Sequence, residues 1–233
     1  MLVNAHDITG FKIAAQDGAF GRVGDLLFDN VTWTIRYFLV YTSRLRPDHK
    51  LLLSPVEVGI PDWKKNTLPV SLTKEQVRKS PALEQQEEVT TDYERRVVRH
   101  YQWPMYWEWM GGGMGGGISG LTYTPSVPPE KAPPPFKEKQ VLHSTEELRG
   151  FRVQATDGPI GHIEDIRLDT NRWMVSHMIG HTQWRGGNKV LVPPRWAEWV
   201  DWEKHRVYMN LSREEIQQSP HFNPAADAAS TVS

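Results

Sequence analysis

Short runs in which apolar and polar residues alternate dominate the chain, and turn residues separate them. Alternation with a period of two is the pattern of β-strands that bury one face. Alternation occurs at residues 23–29 of the first half, and its other predicted strands lie at residues 11–15, 33–42, which is rich in aromatic and β-branched residues, 51–53, which is apolar, and 67–72. Corresponding runs in the second half lie at residues 163–169, 190–192 and 206–211. The pattern therefore predicts an all-β protein made of many short strands.

Two Asp-Gly pairs mark tight turns near the start of each half. Asp17-Gly18 and Asp157-Gly158 are hairpin signals, because glycine accepts a positive φ at little steric cost. Many short strands joined by turns suit a small barrel, in which a sheet has no exposed edge. We therefore expect one small β-barrel in each half.

The two halves are copies of one another. Residues 10–21 return as residues 150–161, with Gly10, Phe11, Asp17, Gly18 and Gly21 unchanged at the equivalent positions. Further equivalent pairs are Asp25/Asp165, Asp29/Asp169, Trp33/Trp173, Lys50/Lys189, Pro55/Pro194, Trp63/Trp202 and Ser80/Ser219. A repeat of this length is a whole small domain. It predicts a first barrel repeat at residues 1–83 and a second at residues 143–222. A linker at residues 84–142 joins them, and a disordered tail follows at residues 223–233.

Each repeat is predicted to end on a short helix. A hydroxyl residue followed three positions later by Gln or Glu forms a capping box. The pattern occurs at Thr73 and Gln76 in the first repeat and at Ser212 and Glu215 in the second. A Ser-Pro pair follows each of them and stops the helix, because proline cannot continue it.

The linker differs in composition from both repeats. Residues 91–101 predict a helix in which Tyr93, Val97 and Tyr101 share one stripe. An aromatic segment, a flexible glycine run and an extended proline-rich stretch then follow, at residues 101–109, 111–117 and 125–135.

Composition and charge exclude several classes of protein. The 233 residues carry a formal net charge of −1, which disfavours a nucleic-acid binder that relies on neutralising phosphates. The chain has no cysteine, so disulfides, thiolate nucleophiles and zinc–thiolate sites are excluded. It shows neither a signal-peptide pattern nor an apolar run long enough to span a membrane. We expect a cytoplasmic protein, with a peripheral position at the inner membrane as the alternative.

An ordered set of motif residues occurs in both repeats. The first repeat contributes Gly10-Phe11, Asp17-Gly18, Gly21, Val23, Asp25, Asp29 and residues 35–40 and 51–55. The second contributes Gly150-Phe151, Asp157-Gly158, Gly161, Ile163, Asp165, Asp169 and residues 190–193. This set resembles the PRC-barrel family, named after the cytoplasmic domain of the photosynthetic reaction-centre H subunit. The resemblance implies two tandem compact six-stranded β-barrels.

The resemblance also implies an adaptor or assembly role rather than catalysis. The family includes the H subunit, a ribosome maturation factor and many stand-alone bacterial proteins. We expect a non-catalytic adaptor without a cofactor, in which two barrels bind a protein partner or complex with the avidity of a bivalent molecule. One alternative is an H-subunit-like role in photosynthetic electron transport at a membrane complex. The other is a ribosome or RNA-processing accessory role, which the near-neutral charge disfavours.

The aromatic segment of the linker is the main candidate for a binding site. It contains Tyr101, Trp103, Tyr106, Trp107 and Trp109. Exposed aromatic clusters are costly unless they meet another surface. Three alternatives stay open, namely docking onto a barrel, binding of a partner protein and contact with a membrane interface. Glu108 and the lack of basic residues count against the membrane alternative.

Two further tryptophans are candidate binding residues. Trp196 and Trp199 occur in the second repeat only, whereas the tryptophans shared by both repeats are expected in the core. A tryptophan that one copy has and the other lacks is free to serve a contact. Trp196 and Trp199 are therefore expected to face the other barrel or a partner.

Three patterns that resemble reactive sites have simpler explanations. Gly111, Gly113 and Gly116 fit a dinucleotide-binding pattern but lack its strand and helix, which favours a linker. The repeated aspartates fit turns and strand ends, where they bond backbone amides. His177, His181 and His162 suggest a metal site, but Tyr37, Tyr41 and Arg22 stand at the aligned positions of the first repeat. Packing is therefore the favoured role of these histidines, and no metal is expected.

Overall fold

The computed structural model describes residues 1–42, 49–84, 89–104, 141–182 and 187–223. Among these residues, short strands and helices follow one another in a similar order in both repeats, but β13 occurs in the second repeat only, and β7 and α3 occur in the first part only. The first part of the chain forms β1 (Leu2–Asn4), α1 (Ala5–Ile8), β2 (Lys12–Ala15), β3 (Gly18–Asp29), β4 (Ile35–Tyr41), β5 (His49–Leu53), a 3₁₀ turn (Pro55–Glu57), β6 (Thr67–Pro69), α2 (Lys74–Arg78), β7 (Leu83–Glu84) and α3 (Thr91–Tyr101). The second part forms β8 (Leu142–Ser144), α4 (Thr145–Leu148), β9 (Arg152–Ala155), β10 (Gly158–Asp169), β11 (Met174–Thr182), β12 (Lys189–Val192), a 3₁₀ turn (Pro194–Trp196), β13 (Ala197–Asp201), β14 (Arg206–Met209) and α5 (Arg213–Gln217).

Equivalent residues of the two repeats adopt the same unusual backbone conformations. Trp33 has a φ of 57° and Trp173 a φ of 48°, in a left-handed region that tryptophan rarely adopts. Gly10 and Gly150 have φ values of 86° and 85°, where glycine avoids the clash that a Cβ atom causes. The repeat seen in the sequence is therefore a repeat of the backbone as well.

Each repeat forms a seven-stranded mixed sheet. The first sheet has the order β6-β2-β3-β4-β5-β7, and β8 of the second repeat is its seventh strand, paired with β3. The second sheet has the order β12-β11-β10-β9-β14-β13, and β1 of the first repeat is its seventh strand, paired with β10. The β2–β6 and β9–β14 pairs are parallel, whereas the neighbouring β2–β3 and β9–β10 pairs are antiparallel. The all-β prediction is thus confirmed in its general form.

A 3₁₀ turn in the second sheet joins two strands that are consecutive in the chain but are not paired. The turn Pro194–Trp196 links β12 to β13, which lie at opposite ends of the strand order. No hydrogen-bonded ladder joins the ends of either sheet within the described residues. The finer description of each repeat as a PRC-type barrel stays a prediction.

The first strand of each repeat pairs with the long strand of the other repeat. β1 lies antiparallel to β10, with Val3 opposite Leu168. β8 lies antiparallel to β3, with His143 opposite Phe28. The short helix that follows each of these strands also packs on the other repeat: α1 packs on β10 and α4 packs on β3. The two repeats therefore exchange their first strand and helix.

A second reciprocal contact joins the repeats at the start of β4 and β11. The Ile35 amide donates to the Trp173 carbonyl oxygen at 2.7 Å, and the Val175 amide donates to the Trp33 carbonyl oxygen at 2.8 Å. Both exchanges bring apolar side chains of the two repeats into one core. That core includes the fully buried Ile8, Leu26, Phe38, Leu148 and Ile166. Burial of each such side chain contributes about 1.5–3 kcal/mol, so the repeats stabilise one another.

The two predicted terminal helices are confirmed. α2 begins at a capping box formed by Thr73 and Gln76, and α5 begins at one formed by Ser212 and Glu215. Each helix turns one buried aliphatic side chain towards the core, namely Val77 and Ile216. None of the described helices is long and apolar enough to cross a lipid bilayer.

Candidate binding surfaces

Helix α3 covers the outer face of the first sheet. The helix predicted at residues 91–101 is confirmed, and Thr90 caps its first turn. Its apolar face packs on β-strand side chains in a second cluster that lies outside the main core. That cluster comprises Leu27, Tyr37, Leu39, Leu52, Leu83, Tyr93, Val97, Val98 and Trp103. The predicted linker therefore begins with an element that belongs to the first repeat.

Polar contacts fix α3 in this position. The Tyr93 hydroxyl donates to the Pro81 carbonyl oxygen at 3.0 Å, and His100 Nε2 lies 3.2 Å from the Gln76 carbonyl oxygen. Burial and the neighbouring Glu94 carboxylate raise the pKa of Tyr37. The hydroxyl of Tyr37 therefore stays protonated beneath the helix.

Two of the five predicted aromatic binding residues dock on the first repeat. The Trp103 indole Nε1 donates to Glu57 Oε1 at 2.7 Å, and only 7% of Trp103 is exposed. The Tyr101 ring stacks on the Trp103 ring with 4.3 Å between their centroids. Tyr101 and Trp103 therefore follow the first of the three alternatives, docking onto a repeat. Because Trp103 is almost completely buried, it has little surface left for a partner.

The other predicted linker residues lie outside the described residues. They are Tyr106, Trp107 and Trp109. The same holds for the glycine run, the proline-rich stretch and the tail from residue 224 onward. Their assignments as a binding segment, a linker and a disordered tail stay predictions.

The first repeat exposes two aliphatic side chains next to the docked Trp103. Val56 is 62% exposed and Ile60 is 89% exposed. Glu57, which holds the Trp103 indole, lies between them in the chain. Neither residue was predicted as a binding residue from the sequence. The signal that could have identified Ile60 is its alignment with Trp199 of the second repeat.

The second repeat presents an aromatic pair at the equivalent place. Trp199 is 45% exposed, and its ring lies parallel to the Tyr208 ring with 4.3 Å between centroids. The pair is formed across β13 and β14, and β13 is an edge strand. Trp199 thus lies on the surface, and a residue that contacts a partner must be exposed in this way.

Trp196 has a different environment from Trp199. Its ring is partly buried and packs against the main core, and the Arg195 guanidinium lies 5.8 Å from the ring centroid. Trp196 therefore has a packing role, and only part of its surface is accessible. The prediction that Trp196 and Trp199 contact the other barrel or a partner stays a prediction.

The histidines of the second repeat lie on its outer surface without forming a metal-binding cluster among the described residues. His162 and His181 are opposite each other on β10 and β11, with 5.3 Å between ring centroids. His177 Nδ1 lies 2.7 Å from the Ser176 hydroxyl oxygen. Burial, together with the positive charges of Arg167 and Arg195, lowers the pKa of His177.

The repeated aspartates cap the exchanged helices. Asp25 accepts hydrogen bonds from the Ser144 hydroxyl, from Thr145 Oγ1 at 3.0 Å and from the Glu146 amide at 3.3 Å. Asp165 accepts from the His6 amide in the reciprocal position. Burial raises the pKa of both carboxyl groups, and these hydrogen bonds oppose the rise. Both residues therefore hold the exchanged segment of the other repeat.

Comparison with known proteins assigns no family to the chain. No family model matches it, and no curated protein matches it either. The resemblance to the PRC-barrel family therefore rests on the repeated motif residues alone.

Proposed function

We propose that the chain is a non-catalytic adaptor built from two PRC-barrel-like repeats, and that the first repeat binds a protein partner. One observation carries the proposal, namely the exposure of Val56 and Ile60 beside the docked Trp103. Exposed aliphatic side chains gain free energy when a partner covers them. The same place leads, after Pro104, into the chain segment that contains the predicted Tyr106, Trp107 and Trp109.

The two repeats present different chemistry at equivalent positions. Val56 and Ile60 of the first repeat align with Arg195 and Trp199 of the second. An adaptor in which both repeats bind the same kind of partner needs similar surfaces. The difference supports an adaptor whose two repeats contact two different partners. The reaction-centre and RNA-accessory alternatives stay predictions based on resemblance alone.

Affinity capture from a lysate of the source organism tests the proposal. The wild-type chain is compared with a Val56→Ser/Ile60→Ser variant, in which only the exposed aliphatic surface changes. A Lys64→Ser/Glu203→Ser variant is the control, because both of its residues are exposed and the net charge is kept. We expect a protein that the wild type and the control capture in equal amounts and that the aliphatic variant loses. Equal capture by all three chains contradicts the proposal.

A further inference from the structure

A row of basic side chains crosses the outer face of the second repeat. Neighbouring strands place these residues directly opposite one another, and all of them point away from the core. The row, here called the cationic row, comprises Arg206, Arg152, His162, His181 and Lys189. Because adjacent strands lie about 4.8 Å apart, the row is a compact line of positive groups.

Two cations of this row are direct neighbours without a carboxylate between them. Arg206 and Arg152 pair across the parallel strands β14 and β9. Neither makes an ion pair with a carboxylate within the described residues, since nearby Asp201 bonds the Lys204 ammonium at 3.0 Å. At the far end of the row, Glu164 neutralises Lys189 at 2.5 Å. Like charges that face each other repel, and an anionic ligand relieves that repulsion.

An exposed aromatic pair lies beside the two arginines. Tyr208 is two residues from Arg206 on β14, so their side chains point to the same outer face. Trp199 stacks on Tyr208 and remains 45% exposed. Tryptophan and tyrosine are favoured at the headgroup level of membranes, where neighbouring Lys and Arg attract anionic lipids. The second repeat thus combines both features of a peripheral membrane contact on one surface.

We propose that this surface of the second repeat binds anionic phospholipid membranes. Arg152 and Arg206 contact the lipid phosphate and carboxylate groups, and Trp199 enters the headgroup region. An exposed aromatic pair next to two arginines suits the headgroup level of a membrane, whereas a single nucleic-acid strand is bound along a groove. The formal net charge of −1 also argues against a polyanion that requires many cations. The proposal goes beyond the protein-binding role of the first repeat and uses other residues.

The first repeat offers a matched comparison. Lys12 and Arg22 face each other there, at the positions equivalent to Arg152 and His162, whereas Thr67 stands where the second repeat has Arg206. Pro69 and Ile60 replace Tyr208 and Trp199, so the aromatic pair is absent at that place. Removal of the two cations of the first repeat is therefore the control for removal of the two cations of the second.

The test measures cosedimentation of the full chain with lipid vesicles. Vesicles of phosphatidylcholine alone are compared with vesicles that also contain phosphatidylserine, at low and high salt. We expect binding only to the anionic vesicles, and weaker binding at high salt because salt screens the attraction. Arg152→Gln/Arg206→Gln weakens binding roughly thirtyfold, whereas Lys12→Gln/Arg22→Gln stays close to wild type. Trp199→Ser weakens binding without changing its salt dependence.

Three outcomes overturn the proposal. Equal binding to neutral and anionic vesicles removes the electrostatic contact. An equal loss in the Arg152→Gln/Arg206→Gln and Lys12→Gln/Arg22→Gln variants removes its assignment to the second repeat. Tighter binding to a single-stranded RNA oligonucleotide than to the anionic vesicles, at one salt concentration, assigns the cationic row to nucleic acid. None of these outcomes affects the capture test with Val56 and Ile60.

Discussion

Trp103 and Trp199 have the same side chain in opposite surroundings, and these surroundings decide what each can do. Trp103 is buried under the stacked Tyr101 ring and its indole N–H is committed to Glu57. Trp199 is exposed on an edge strand and stacks on one neighbour. A tryptophan that is already covered stabilises the fold, whereas an exposed one is available for binding.

The first prediction compares the same substitution at both tryptophans. Trp103→Phe removes the hydrogen bond to Glu57 Oε1, which leaves the Ser71 hydroxyl as the donor to that carboxylate, so the free energy of unfolding falls by about 1.5–3 kcal/mol. Trp199→Phe removes only surface contacts, and its effect stays within about 0.5 kcal/mol. Urea unfolding followed by circular dichroism measures both values. A loss at Trp199 as large as that at Trp103 contradicts the assignment of the docked and exposed roles.

The second prediction concerns His143, which lies between the repeats. Its ring stacks on the Trp202 ring with 3.4 Å between centroids, and burial lowers the pKa of His143 to about 4. The unfolded chain therefore binds this proton more readily than the folded chain. The stability contribution of the neutral ring is complete above about pH 6.5 and is lost as the pH falls towards 4.

Thermal unfolding at several pH values tests this dependence. The melting temperature of the wild type should fall more steeply below pH 6.5 than that of a His143→Phe variant, which keeps the ring stack but has no titrating group. Burial raises the pKa values of Asp25 and Asp165, so their protonation at low pH favours the folded state. Both residues are present in the wild type and in the variant, so they do not affect the comparison. Parallel curves for the two chains contradict the prediction.

At the scale of elements, the exchanged strand and helix of each repeat connect the two sheets. β1 with α1 belongs in sequence to the first repeat but packs on β10, and β8 with α4 packs on β3. Short strands and four-residue helices are unstable by themselves, so their order comes from tertiary contacts. Asp25 and Asp165 supply such contacts at the two helix N-termini.

The third prediction compares the two capping aspartates. Asp25→Ala leaves three donors of the other repeat without an acceptor, namely the Ser144 and Thr145 hydroxyls and the Glu146 amide. We expect a loss of about 1–3 kcal/mol in the free energy of unfolding. Asp165→Ala costs less, because across the repeats it loses the bond to His6 alone. Asp25→Asn, which keeps an acceptor, should restore part of the loss in urea unfolding. An Asp25→Ala variant as stable as wild type contradicts this role.

The sequence was sufficient to predict the individual elements but not the exchange between repeats. Alternation, Asp-Gly turns, capping boxes and an apolar stripe are local signals, and they located most strands of both sheets, α2, α3 and α5, but not β1, α1, β7, β8, α4 or β13. The strand pairings of Leu2–Asn4 and Leu142–Ser144 depend on the choice between two nearly identical long strands, and three residues carry no signal for that choice. The exposed Val56 and Ile60 were missed because local patterns do not report which apolar residues remain uncovered.

At the scale of the whole molecule, the two repeats form one unit rather than two independent domains joined by a linker. Three features connect the two repeats. They are the exchanged strands, the backbone hydrogen bonds accepted by Trp33 and Trp173, and the common core. The surface at Val56 and Ile60 and the surface at Trp199 and Arg152 are therefore held on one body. In the adaptor that we propose, this arrangement would fix the two binding surfaces relative to one another without depending on the linker for orientation.

Cleavage of the linker tests this account most directly. A specific protease site placed between Gly111 and Gly117 allows the chain to be cut after folding. Native mass spectrometry and size-exclusion chromatography then report whether the two halves stay together. We expect a one-to-one complex with a mass close to the 26.8 kDa of the intact chain, because the exchanged strands hold the halves without the linker. Separation into two folded halves under native conditions contradicts the exchange and the single unit that rests on it.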